Sequence, residues 1–196
     1  LSLTLAANLA ASPAAPPLLV ATGIGAGLVR ALRSRHTPPV HKCMAARALV
    51  RLVRHRDPVL EPLLAEEHLV PVCDALMARG ADYRLAVLAA LLAVSAAWAP
   101  AVLHELVASQ AAMTAVALLA AHSDATSAAA LASLLCTLSF LPSQRRLLMQ
   151  RFHADFPRLI LTWLTAPEPA TQRLAAALVA NMAESRDIPH LHTPFY

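Results

Sequence analysis

No acidic residue occurs in the first 56 positions of this sequence; Asp57 is the earliest. Glycine is down to 4 residues and aromatic residues to 4%, against 58% hydrophobic. These shortages exclude particular functions. The stretch LLVATGIGAGL (18–28) leads an apolar run into Gly23, Gly25 and Gly27, as a nucleotide-binding turn does. A dinucleotide site, however, needs a third glycine where Leu28 stands and an acid about 20 positions on, and neither is present. Readers of single-stranded nucleic acid stack bases on aromatic rings, which are too scarce here for specific RNA recognition. The 3 cysteines, Cys43, Cys73 and Cys136, include no pair at metal-ligand spacing and are too few for a disulfide framework. Reduced thiols place the chain in an intracellular, reducing compartment, cytoplasmic or alternatively the matrix of a mitochondrion or other organelle. His41-x-Cys43 and His190-x-His192 bring too few ligands for a metal, and no Ser-His-Asp order, P-loop or Cys-x-x-Cys appears. The sequence therefore reads as non-enzymatic, with no catalytic residues, no cofactor and no metal.

Alanine is what the chain has instead, at about a fifth of all residues. It is the best helix former and needs little room, so closely packed helices are favoured over sheet. Mean hydropathy is +0.55. Three runs lack charge, at 85–104, 106–123 and 125–144. A membrane span takes about 20 strongly apolar residues, whereas these runs are diluted by Ala, Ser and Thr and are separated by single charges. No membrane span is predicted. The charge-free middle, residues 85–140, either packs against its own neighbours or lies against a partner helix or subunit. Trp98 and Trp163 read as core residues.

A period of about forty-three residues organises the chain. Pro13, Pro58, Pro100 and Pro142 recur at spacings of 45, 42 and 42. Five or six residues after each comes an apolar pair: Leu18-Leu19, Leu63-Leu64, Leu106-Val107 and Leu147-Leu148. Proline suits the first turn of a helix, and Ser12 and Asp57 precede two of these prolines as expected N-caps. A second block recurs as TLAANLA (4–10), RALVRLV (47–53), AALLAVS (89–95), SLLCTLS (133–139) and ALVANMA (177–183). In it Leu9, Leu52, Val94, Leu138 and Met182 line up with helical periodicity around them. Each unit is thus a short helix, a sharp turn, a second helix, a loop and a longer third helix. No unit can bury its own apolar faces, but stacked units can. Gly23 then reads as a helix-terminating turn residue, since glycine tolerates positive φ.

These blocks resemble the armadillo repeat family, close kin to HEAT repeats. The family has glycine at the turn between its first two helices, then small-Ile-Pro-x-Leu-Val-x-Leu-Leu. GIGAGLVRAL (23–32) fits through Gly23 and Leu28-Val29, VPVCDALM (70–77) through Pro71, and FPRLI (156–160) through Pro157. The Asn-Leu-Ala ending of the third helix is met by Asn8-Leu9-Ala10 and Asn181-Met182-Ala183. The resemblance implies an all-α fold, a right-handed α-solenoid of armadillo-like three-helix repeats over residues 1–185. Its units are 1–11 (truncated), 12–54, 57–97, 99–140 and 142–185, followed by an extended tail, 186–196. The first residues already read as a third helix, which predicts helices upstream of Leu1 and a place in a longer chain or larger complex.

The family binds protein partners along a groove lined by third helices. In its nuclear-import receptors an asparagine ladder holds the peptide backbone, and tryptophans form slots for basic side chains. The ladder positions here are Asn8, Arg51, Ala93, Thr137 and Asn181, and the tryptophan positions Thr4, Arg47, Ala89, Ser133 and Ala177. The ladder is broken and the slots are absent, so cargo reception of that kind is not implied. Half of the 16 Lys and Arg fall between 30 and 56: Arg30, Arg33, Arg35, Lys42, Arg47, Arg51, Arg54 and Arg56. Arg47, Arg51 and Arg54 share one helical face. That face is either a solvated surface or a stripe for acidic protein, phosphate or RNA backbone. Arg47, Arg51, Arg54, Asn8 and Asn181 are therefore the candidate partner-binding residues of a scaffold or adaptor whose partner is acidic or helical. The alternative is an accessory structural subunit of a large assembly, organellar or ribonucleoprotein, with the basic stripe on acidic protein or RNA.

Overall fold

The computed structural model describes residues 3–78, 82–109, 111–121, 125–152 and 156–183. All the regular structure among them is helical. The helix α1 (Leu3–Leu9) is followed by a set of three: α2 (Ala15–Ala21), α3 (Ile24–Arg33) and α4 (Pro39–Val53). The next set is α5 (Leu60–Glu66), α6 (Leu69–Ala78) and α7 (Tyr83–Ala96). Then come α8 (Pro100–Ala108), α9 (Ala111–Ala120) and α10 (Ala125–Ser139), and finally α11 (Pro142–Phe152), α12 (Phe156–Leu164) and α13 (Pro169–Ala183). The third member of every set has 14 or 15 residues, and the members before it have 7 to 11.

Proline punctuates this series. Pro39, Pro100, Pro142 and Pro169 open α4, α8, α11 and α13, where the absent N–H costs no helical bond. Pro13 and Pro58 stand one step earlier, in the turns that lead into α2 and α5. Ser12 and Asp57 accordingly do not cap the helices as expected. Ser12 Oγ accepts from Ala14 N at 3.4 Å and Asp57 Oδ1 from Val59 N at 3.0 Å, so each closes a turn that precedes its helix. A side-chain N-cap does form at Asp82, whose Oδ1 accepts from Leu85 N at 3.2 Å at the start of α7. The leucine six residues after each periodic proline is the buried one: Leu19, Leu64, Leu106 and Leu148 are all at most 1% exposed.

The chain divides into two compact units, Leu1–Ala130 and Leu131–Tyr196. In the first, each helix touches its counterpart three places on. The third helices run α1 to α4 to α7, the first helices α2 to α5 to α8, and the second helices α3 to α6 to α9. Within a set, the second helix packs against the third, as α3 does on α4 and α6 on α7. The helix α7 is covered by α4, α6, α8 and α9 together, which is why it can be apolar nearly all round. Alanines make the approach close: Ala45, Ala46 and Ala48 of α4 and Ala89, Ala90, Ala93 and Ala96 of α7 are wholly inaccessible. In the second unit, α12 packs against α13 and buries Trp163.

The charge-free middle is thus hidden by the chain itself along α7 and α9, and no large apolar side chain of either helix other than Tyr83 is exposed. The run 85–104 is cut between α7 and α8, and the run 106–123 between α8 and α9. Among the described residues no single helix is long and apolar enough to cross a membrane. The pairs α2–α3 and α8–α9 reach that length only together, across bends of 73° and 89°.

Two backbone details repeat with the period. Gly23 joins α2 to α3 with φ of 68°, and His68 joins α5 to α6 with φ of 48°, 45 positions later. The turn demands the left-handed conformation, and glycine meets it without strain whereas histidine does not. Secondly, His55 Nε2 donates to the carbonyl of Ala10 at 3.0 Å, and Trp98 Nε1 donates to the carbonyl of Val53 at 2.9 Å. Both contacts span 45 residues, and in both a ring N–H reaches a carbonyl at the end of the preceding third helix, that of Val53 also accepting from Arg56 N at 3.1 Å. Trp98 is only half-buried, so it is a structural residue by virtue of this bond as much as of its packing.

Replacing Trp98 by Phe keeps the ring and removes the donor. Because the Val53 carbonyl keeps its Arg56 donor, the variant is expected to lose about 0.5–1.5 kcal/mol of stability in urea unfolding, and His55→Phe, which takes the ring donor from Ala10, about 1–3 kcal/mol. His68→Gly is expected to gain about 0.5–1 kcal/mol by relieving the left-handed strain, measured the same way.

Candidate functional site

The basic run does not form one surface. Lys42 is 7% exposed and lies within the packing of α4, so it is not part of any open stripe. Arg30 and Arg33, on the last turns of α3, reach Glu67 at the turn between α5 and α6. Their guanidinium nitrogens stand 3.7 and 3.9 Å from its carboxylate oxygens, and Arg33 also donates to the Glu67 carbonyl. Such exposed pairs add little stability but fix the end of α3 against the next set.

What remains is a strip along α4. Val40, Cys43, Arg47 and Arg51 follow at helical spacing, the arginines exposed, and Arg54 continues them at the C-cap. Arg84, in the first turn of α7, joins the field: its charge and that of Arg47 both act on the Cys43 thiol, as does that of Asp82. Arg84 stands one period of 42 after Lys42, but Lys42 is buried and Arg84 exposed, so the periodicity held no signal for it. Asn8 is exposed on α1, which packs against α4. Neither Arg47 nor Arg54 is ion-paired with any described residue. Like charges at three- and four-residue spacing on a helix repel one another.

At the ladder positions, already broken in the sequence, Asn181, in the second unit, is half-buried and its amide donates to Ser139 Oγ at 2.8 Å. Thr137 turns its hydroxyl to the Ser133 carbonyl at 2.9 Å, and Ala93 is wholly inaccessible. Ala89, the counterpart of Arg47 on α7, is inaccessible too, so the arginine face has no open equivalent one repeat on. His190, His192 and the tail 186–196 lie outside the described residues.

A second feature lies between α3 and α6, where a cleft of about 490 Å³ opens. Leu32, Val72 and Leu76 form its nearly inaccessible floor, and Arg33, Arg35 and His68 stand exposed around it. No three of the described His, Cys, Asp and Glu side chains gather as a metal site would require.

The thiols are held protonated. Burial pushes the Cys73 thiol from 9.0 up to about 12, with the neighbouring Asp74 adding to the shift and a backbone hydrogen bond at Ala93 opposing it. Cys43 and Cys136 are raised as well, first by burial, and at Cys43 the arginines pull the other way. Comparison with family models, curated proteins and solved structures returned no match.

A thiol whose folded pKa exceeds its unfolded value keeps its proton where the unfolded chain has lost it. Its contribution is complete below pH 9.0 and is lost as pH rises toward about 12. Urea midpoints are therefore expected to fall across this window, and Cys73→Ala to flatten the fall.

Proposed function

We propose that the chain is a non-enzymatic scaffold or adaptor segment, an armadillo-like right-handed α-solenoid that binds an acidic protein segment along the α4 strip. The observation that carries this reading is the stepwise contact, in the first unit, of each helix with its counterpart three places on, marked by two ring N–H bonds that recur at the same offset. Repeats that lean on one another give long surfaces rather than enclosed pockets, and such surfaces serve recognition. Arg47, Arg51 and Arg54 are the contacts, Arg84 extends them, and Asn8 supplies a neutral polar neighbour on α1. Exposed guanidinium groups aligned along a helix can take carboxylates in charge-assisted hydrogen bonds. Three free thiols suit a reducing compartment inside the cell, cytoplasmic or organellar.

A second reading, an accessory subunit of a larger assembly, draws on the second unit. Leu161 and Leu164 of α12 are 64% and 41% exposed, a contact surface that a neighbouring subunit would cover.

A fluorescent polyglutamate peptide is expected to bind the protein, more weakly as salt rises, because exposed charges are screened. Reversing Arg47 and Arg51 to Glu should weaken binding by about tenfold or more while leaving the thermal melt in place. Unchanged affinity in the folded double variant would refute the α4 strip as the site. Tighter binding of polyuridine than of polyglutamate would shift the reading to the second one.

A further inference from the structure

We infer that the cleft between α3 and α6 is a second docking site, for an acidic, apolar-bearing segment of a partner protein. It is separate from the α4 strip: none of its lining residues belongs to α4. The volume, about 490 Å³, accommodates a few large side chains. Along α6 the wall is made of Pro71 and Ala75, four positions apart on an exposed face and too small to fill the space in front of them. Leu32, Val72 and Leu76 give an apolar floor. A leucine-sized side chain seated there would remove apolar surface from water on both sides of the contact.

The rim decides the charge of the occupant. Arg35 makes no hydrogen bond or ion pair to any described residue. Arg33 is held in place by the Glu67 carbonyl, with its charge only partly offset by the Glu67 carboxylate. His68 completes the rim from the turn between α5 and α6. That turn is left-handed, and Gly23 occupies the equivalent place one repeat earlier. A histidine therefore occupies a backbone position that glycine would fill without strain, and it brings a ring to the edge of the cleft. A carboxylate on the occupant meets Arg35 and His68, while its apolar neighbour enters the cleft.

Openness decides its size. Arg33, Arg35, His68, Pro71 and Ala75 are all exposed, so the cleft is a trough. Small-ligand sites bury most of their ligand's surface, which a trough does not. A polypeptide segment lays one face into such a trough and leaves the other face to water. In an extended segment successive side chains alternate, so carboxylates follow the rim and apolar groups the floor.

The test uses a fluorescein-labelled peptide alternating Glu and Leu, with a Gln and Leu counterpart, titrated with the full chain by anisotropy. The Glu–Leu peptide should bind, and the Gln–Leu peptide about tenfold or more weakly, as expected for lost charge-assisted hydrogen bonds. Arg35→Glu and Ala75→Trp, one reversing the rim and one filling the trough, should each weaken binding to a similar extent. His68→Gly should weaken it while raising the unfolding midpoint, a combination that a purely structural histidine would not give. Because the α4 strip also takes acidic segments, each titration is made in the Arg47→Glu/Arg51→Glu background, where cleft binding of the Glu–Leu peptide should persist, so that failure of the α4 strip and failure of the cleft are told apart. The inference is overturned by Glu–Leu binding that survives both Arg35→Glu and Ala75→Trp in folded protein. It is equally overturned by equal binding of the two peptides, by the absence of binding, or by binding lost only with Arg47 and Arg51. Polyuridine displacing the peptide and itself losing affinity with Arg35→Glu would overturn it in favour of a nucleic-acid ligand.

Discussion

A helix such as α7, with ten of its fourteen residues buried, exists in water only because other helices cover it on several sides at once. The helix α4 covers one side, and α6, α8 and α9 cover the rest. None of these partners is large, and each depends on its own neighbours in the same way. Stability in the first unit is therefore shared between successive sets and cannot be assigned to one centre. Alanine is what makes the arrangement dense. With methyl groups at the contact face, backbones approach closely, and few large side chains are needed to close the gaps.

Close approach leaves helix ends to be satisfied, and the chain meets the same requirement with different residues. The left-handed turn between first and second helices is made by glycine in one set and by histidine in the next. The carbonyl at the end of a third helix is filled by an imidazole N–H at Ala10 and by an indole N–H at Val53. After α10, the Ser139 carbonyl accepts instead from Arg145 Nε at 2.9 Å. Backbone geometry is the constant here, and the side chains vary around it as long as one donor reaches the terminal carbonyl.

Charge is distributed under the same constraint. Where arginine stems meet the acidic turn of the next set, as at Glu67, their charges help to join sets. Where no acid pairs with them, as at Arg47, Arg54 and Arg35, the charges are left for something outside the chain. The two surfaces are built from different helices, so each can be lost without the other. Thiols take no part in this chemistry, because burial keeps them protonated and poor as nucleophiles.

Sequence alone determined the all-helical class and the division into sets of two shorter helices and one long one, but not which member of each apolar pair buries: Leu18 and Leu147 stay exposed beside buried Leu19 and Leu148. Proline spacing and the recurring leucine six positions on are local signals, and they survive because helix starts and apolar periodicity are properties of short segments. Gly23 as a turn residue was legible for the same reason. Tertiary structure alone decided which charges remain open. Arg30, Arg33, Lys42, Arg47 and Arg51 look alike in one dimension, yet Glu67 engages the first two, the packing of α4 hides the third, and the last two face water. Asn181 donates its amide to Ser139, and Arg84 entered the field of Cys43 from another helix. Those outcomes depend on which residues meet across a distance of one repeat, and no local pattern records what stands on the other side of an interface.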